Sequence, residues 1–170
     1  IELGIALISE NRKEEGILPN FDNKDNISLA SMKKYMSGIV INDDKKKRNA
    51  LEKGKQVGLK PNDPAFMTVS LSGGNAQKVI LARWMSTDAT VMIFDEPTKG
   101  IDIGAKADIY LLMEKMAAEG IAIIMVSSEL TEVMGMSDRI LVMSDGKITG
   151  ELMKDEFSEE SILNYTVEEN

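Results

Sequence analysis

Two short stretches hold residues whose types and spacing suit the chemistry of a phosphoanhydride. The first runs Leu71-Ser72-Gly73-Gly74-Asn75-Ala76-Gln77-Lys78 and reads as a Ser-Gly-Gly turn that opens a helix. The first N–H groups of a helix have no partner within it and lie at the positive end of its dipole, so they suit a phosphate. Gly73 and Gly74 let the backbone come close to a ligand, and Ser72 adds a hydroxyl donor. The second stretch, Val91-Met92-Ile93-Phe94-Asp95-Glu96-Pro97, is an apolar strand that ends in adjacent carboxylates. Strand ends are where ligands bind in open α/β sheets. Neighbouring side chains on a strand point to opposite faces, so the pair serves one site only if the chain turns there. Asp95 is then expected to hold Mg2+ through water, because that ion keeps several waters and favours few carboxylates. Glu96 is expected to polarise a water that attacks a terminal phosphate. Taken alone, each stretch has a plainer reading: a helix cap with a flexible turn, and a solvated acidic strand end.

The elements that must position these groups follow from periodicity and breakers. Residues 4–8 read as a short buried strand, followed by a polar connector from Ser9 to Asn20. Asp25 or Asn26 is expected to cap a helix through Ile27, Leu29, Ala30 and Met32 that Gly38 ends. Asp43 and Asp44 start a long polar helix, with Lys45-Lys46-Lys47-Arg48 read as a solvated face. Leu59 to Pro64 is a break. The helix opened by Ser72 has Val79, Ile80, Ala82 and Trp84 as packing positions. A strand at 90–95 leads to a helix at 102–119 with Ile103, Ala107, Leu111, Leu112 and Met116 on one stripe. A strand at 121–126, a helix at 129–136 and a hairpin of 139–143 with 147–151 across Asp145-Gly146 come next. The tail from Phe157 to Asn170 is expected to begin as a helix and then fray. Unbroken apolar strands separated by helices indicate a parallel sheet covered by helices.

Composition narrows the classes. Twenty Lys and Arg oppose 28 Asp and Glu, a net charge of -8, which disfavours a nucleic-acid partner. There is no cysteine and no histidine, which excludes disulfides, thiolate metal sites and the usual general base. No apolar run approaches the roughly 20 residues that cross a bilayer. The 12 methionines read as flexible core filler. A Gly-rich phosphate loop of the form G-x-x-x-x-G-K-[ST] is absent: Gly54-Lys55 runs into Gln56, and Gly146-Lys147 into Ile148.

In order and spacing these pieces resemble the ATP-binding-cassette (ABC) ATPases. Leu71 to Gln77 is similar to their signature motif, Val91 to Glu96 to their Walker B strand, and Pro97-Thr98-Lys99-Gly100-Ile101-Asp102 to their D-loop. The finer resemblance is to the second cassette of double-cassette ribose- and galactose-type importers. It implies an α/β fold, a partial RecA-like P-loop NTPase core with an inserted helical subdomain. The expected divisions are 1–24 (core strand and Q-loop region), 25–88 (helical subdomain), 89–151 (RecA-like core) and 152–170 (tail). Because the phosphate loop of the family lies upstream of these motifs, the chain is expected to be a fragment.

The resemblance also implies roles. ATP and Mg2+ are the expected cofactors. Ser72, Gly73, Gly74 and Gln77 would reach across a head-to-tail dimer to the nucleotide of the other cassette, and Asp102 would link the two composite sites. Ala76 departs from the importer form of the motif, which has Gln there. Glu10 lies near the Q-loop position, where a Gln usually senses the γ-phosphate and metal. Ser128 stands where the switch histidine follows a strand and a serine; a serine donates more weakly and without charge. The further partners implied are transmembrane permease subunits and, indirectly, a periplasmic or lipoprotein sugar-binding protein, at the cytoplasmic face of a bacterial membrane. Two other readings stay open: a soluble ABC ATPase of translation or DNA repair, and a catalytically silent half that completes the other cassette's site.

Overall fold

A computed structural model describes residues 1–166. The chain divides into two compact units, Ile1–Met125 and Val126–Asn170.

The first unit is built on a three-stranded sheet whose central strand carries the acidic pair. Strand β1 (Ile5–Ile8) precedes a single irregular helical turn at Arg12–Gly16. Helix α1 (Asn23–Ser28) is capped by Asp22, whose carboxylate accepts from the Asp25 N–H at 2.9 Å. The cap therefore lies three residues before Asp25, and Asn26 is buried inside the helix rather than capping it. The expected long helix breaks after Ser28 into a 3-10 helix, Leu29–Tyr35, with non-helical torsions at Ser31. Gly38 does not end a helix: at φ +64° it sits in the turn between β2 (Met36–Ser37) and β3 (Val40–Ile41).

Helix α2 (Asp43–Gln56) is capped by Asn42. Its basic run is not wholly a solvated face, because Lys46 is buried in an ion pair with Asp25. A second tie joins α1 to α2: Lys24 meets Asp43 at 2.9 Å. The hydrogen bond from Lys24 holds the Asp43 carboxyl below its ordinary value of 3.8. A carboxyl so depressed stabilises the fold above the unfolded-state value and loses that contribution as pH falls through the folded one. Protection of the amides around Lys24 and Asp43, corrected for the intrinsic exchange rate, is therefore expected to fall as pH drops below 3.8. Asp43→Asn should remove this response, and salt should weaken it, since Asp43 is solvent-exposed.

Helix α3 (Gly73–Trp84) is buried almost all round, from Gly74 to Arg83, and Trp84 is only half-buried. Strand β4 (Val91–Asp95) pairs in parallel with β1, Ile5 opposite Val91 and Ile8 opposite Phe94. Burial alternates along both strands: Ala6, Ile8, Met92 and Phe94 are buried, whereas Ile5 and Leu7 are exposed. The run at 4–8 is thus a half-buried strand, contrary to expectation. In helix α4 (Ile103–Ala118) the buried stripe is Ile109, Leu112, Met113 and Met116. Ile103 and Leu111, expected in the core, are exposed. The helix is apolar on more than one side, so the 3.6-residue period fits two faces, and packing selects the one containing Met113. Strand β5 (Ala122–Val126) completes the sheet in the order β1-β4-β5.

The second unit holds helix α5 (Leu130–Met136), then strands β6 (Arg139–Ser144) and β7 (Lys147–Met153) as an antiparallel hairpin. Asp145 and Gly146 both have positive φ, +47° and +76°, the paired left-handed residues of a two-residue hairpin turn. Helix α6 (Glu159–Asn164) closes it, with Ile162 packed on Ile140, Val142 and Leu152. The expected fraying of 167–170 lies outside the described residues.

Candidate nucleotide site

Ser72 takes extended torsions, φ -62° and ψ 159°, and caps α3. Its Oγ accepts from the Asn75 N–H at 3.5 Å and from the Asn75 amide Nδ2 at 3.1 Å. Ser72 and Gly73 are exposed. Ser72 borders an open cleft of about 560 Å³ whose lining also includes Lys60, Gly74, Asn75, Lys78 and Asp102. Close approach requires glycine at position 74, whereas a Cβ at position 73 would make only ordinary contacts. A Cβ on Gly74 would stand 2.7 Å from the Ala105 Cβ, and one on Gly73 would stand 3.4 Å from the Gly100 carbonyl oxygen. The helix end therefore packs directly against the segment after β4.

Gln77 is placed differently from the expectation. It is 1% exposed, with Oε1 buried and no partner among the described residues. Helical periodicity turns position 77 inward, away from the exposed Ser72, so its side chain does not reach out to a ligand.

At the end of β4, Asp95 is half-exposed and the chain turns at once, with Glu96 at φ +47°. That left-handed conformation costs a non-glycine residue roughly 1–2 kcal/mol. It is the turn that the doublet needs to escape strand alternation. The turn is fixed by the Lys99 N–H donating to the Glu96 carbonyl at 3.2 Å and by Ile101 N–H donating to the Thr98 carbonyl at 3.1 Å. Thr98 and Ile101 are buried beneath it. Asp102 then caps α4, its carboxylate accepting from the Ala105 N–H at 3.0 Å, and remains exposed.

Glu10 meets the Lys99 ammonium at 2.7 Å. Lys99 is held above the ordinary lysine range, first by this hydrogen bond, then by the charges of Glu10, Glu96 and Asp95. One cation thus faces three carboxylates. Among the described residues no group of three or more Asp, Glu, His or Cys forms a protein-only metal cage. Asp95, partly exposed at the strand end, fits Mg2+ held by few protein oxygens plus water and phosphate. Ser128 is exposed and belongs to the second unit, where Ser127 Oγ donates to Glu132 and accepts from the Glu129 N–H.

Arg12 is a residue the sequence did not single out. Its guanidinium donates to the Lys99 carbonyl at 2.7 Å and the Gly100 carbonyl at 3.4 Å. It also lies within 3.7 Å of the Cβ position of Gly73. Burial lowers its pKa. Arg12 ties the connector, the post-β4 turn and the α3 N-terminus into one cluster. Only the contact 87 residues away gives it this role, and nothing local in the sequence marks it.

With fold and site in place, known proteins supply the class. The chain belongs to the ABC transporter family, which matches residues 3–99. It is 47% identical over 160 residues to a putative ribose/galactose/methyl galactoside import ATP-binding protein 1 of Rhizobium etli, covering 94% of this chain and 30% of that protein. It is 44% identical over 165 residues to the ribose import ATP-binding protein RbsA of Shouchella clausii, covering 97% and 33%. It is 48% identical over 168 residues to the arabinose import ATP-binding protein AraG of Pseudomonas savastanoi pv. phaseolicola, covering 98% and 33%. The chain spans about a third of the length of these relatives. The fold is also that of the ATP-binding cassette MJ0796, solved as a dimer in a post-hydrolysis state with ADP and phosphate. The TM-score is 0.74 at 22% identity, over 90% of this chain and 64% of that one.

Proposed function

We propose that this chain forms part of the ATP-hydrolysing machinery of a bacterial monosaccharide importer, peripheral to the cytoplasmic face of the membrane. Its work would be to couple MgATP binding and hydrolysis to sugar uptake through permease subunits. The similarity to ribose, galactose and arabinose import proteins supports the substrate class. The observation that carries the nucleotide reading is the exposed Ser72-Gly73 end of a buried helix beside a cleft. In this reading the Ser72 hydroxyl and the first amides of α3 bind the terminal phosphate of a nucleotide held by another cassette. Asp102, exposed at the start of α4, faces the same partner. Asp95 holds the metal, which when bound neutralises charge on the phosphates. Glu96 accepts the proton of the attacking water; for Ser128, the role of phosphate donor is the one that the family resemblance implies. Glu10, paired with Lys99, would contact the metal or one of its waters when the ion is bound.

One consequence concerns the chain by itself. It has the helix-end donors and the acidic pair, but its sequence contains no G-x-x-x-x-G-K-[ST] loop. Calorimetric titration of this chain with MgATP is therefore expected to give no binding tighter than about millimolar, since one phosphate contact supplies only a few kcal/mol. Adding a cassette that carries a phosphate loop should convert this into saturable binding. Micromolar affinity of the chain alone would contradict the reading. A second reading, a silent half that completes its partner's site, is favoured only by Ser128 in place of histidine. The Glu96 substitution described below separates the two.

A further inference from the structure

Asn75 borders the cleft and bonds Ser72, and its two amide atoms are held in a fixed order. Its Oδ1 accepts from the Lys60 backbone N–H at 2.9 Å. A backbone N–H can only donate, so the oxygen of the amide must face Lys60 and the nitrogen must face the other way. What lies the other way is Ser72: Nδ2 donates to its Oγ at 3.1 Å. The Asn75 backbone N–H approaches the same oxygen at 3.5 Å. A hydroxyl has two lone pairs and one proton. With both lone pairs engaged by donors from Asn75, any further polar contact of Ser72 must use the proton.

We infer that Asn75 is a positioning residue that locks the Ser72 hydroxyl as an outward donor, set for the oxygen of a phosphate. The polarity passes through three groups: the Lys60 N–H orients the amide, the amide occupies the serine oxygen, and the serine proton is left to the cleft. Ser72 is exposed, and Lys60, Ser72 and Asn75 all border the cleft. A free serine hydroxyl in water samples both roles and must be reoriented on binding. Here that cost is met when the protein folds, which is how preorganised donors bind charge more strongly than flexible ones. The inference rests on the proposed role of Ser72 as a phosphate ligand.

Asn75→Asp is the discriminating change. It keeps the shape and the acceptor for Lys60, but places an oxygen where Nδ2 stood. Ser72 then satisfies that oxygen by donating to it, and its proton turns away from the cleft. The measurement is the MgATP concentration that half-saturates ATPase activity of the gene product assembled with its permease, for Asn75→Asp, Ser72→Ala and the double variant. Asn75→Asp is expected to raise that concentration about tenfold with Ser72 present, the scale of one charge-assisted hydrogen bond. In the Ser72→Ala background it should raise it less than about threefold, since only the added negative charge remains. Equal losses in the two backgrounds, or no loss with Ser72 present, would overturn the lock and leave Ser72 as a ligand. If Ser72→Ala alone leaves half-saturation unchanged, the phosphate role of Ser72 fails and the lock fails with it. Should Asn75→Asp not fold, Asn75→Ala serves: it frees one lone pair of Ser72, and a loss of about threefold that vanishes in the Ser72→Ala background supports the lock. A loss independent of Ser72 overturns it.

Discussion

Glu96→Gln is expected, on the proposed function, to lower ATP turnover of the assembled importer by at least about a hundredfold, the usual contribution of a positioned general base. Glutamine keeps the length and shape of glutamate but cannot accept the proton of the attacking water. Binding of MgATP should survive, so the loss falls on kcat rather than on the half-saturating concentration. The backbone adds a second arm to this prediction. Glu96 sits at φ +47°, where a side chain is disfavoured. Glu96→Gly removes that strain and is expected to raise folding stability by up to about 1 kcal/mol, while abolishing turnover as thoroughly as glutamine does. A gain in stability with a loss of activity marks a residue held under strain for its chemistry. Unchanged turnover in Glu96→Gln would instead favour the silent-half reading.

Asn26→Ala is expected to cost about 3–4 kcal/mol of folding stability, read as a fall in the urea midpoint with unchanged slope. Asn26 is fully buried, and its side chain is the hub of the first unit's polar interior. Nδ2 faces the carbonyls of Leu18, Phe21 and Asp22 at 3.1–3.2 Å and Thr68 Oγ1 at 3.1 Å. Oδ1 accepts from the Leu18 N–H at 2.8 Å and from Arg83 at 3.0 Å. Arg83 Nε also donates to the Asn26 carbonyl at 2.7 Å. Burial pushes the Arg83 pKa down to about 10, so its charge is held in a poorly solvating place. Alanine leaves this buried cation with one fewer acceptor and removes the partner of the Leu18 N–H. Asn26→Asp keeps the acceptor and attracts Arg83, but turns an oxygen toward three carbonyls, and should cost about 2 kcal/mol. A cost below about 1 kcal/mol for Asn26→Ala would show that water replaces the hub. Because Arg83 belongs to α3, the same network steadies the helix whose far end bears Ser72.

What could be read from the sequence tracks how local the cause is. The β4 strand, the Ser72 cap and the Asp145-Gly146 turn are written in residues that touch their neighbours, and they stand where expected. The cap of α1 was misplaced because Asp22, Asp25 and Asn26 are all good caps, and only the pairing of Asn26 with Leu18, Thr68 and Arg83 removes it from contention. The buried face of α4 does not follow from periodicity, because both stripes are apolar. At the site, the types and order of Ser72, Gly73, Gly74, Asp95, Glu96 and Asp102 were legible. Arg12 and Asn75 were not, since their roles exist only where Lys99, Gly100 and Lys60 are brought to them. Gln77 belongs to a recognisable motif, but the register of α3 points it inward.

The central claim is that the Ser72 end of α3 meets a nucleotide held by another cassette. The absence of cysteine makes it directly measurable, because Ser72→Cys introduces the sole thiol of this chain. Paired with a cassette bearing one cysteine in its phosphate loop, it is expected to be joined by a short thiol-to-thiol reagent when MgATP is present, and not in its absence. A yield that is the same with and without MgATP, or no joined product at all while the mixture still binds nucleotide, would contradict the account.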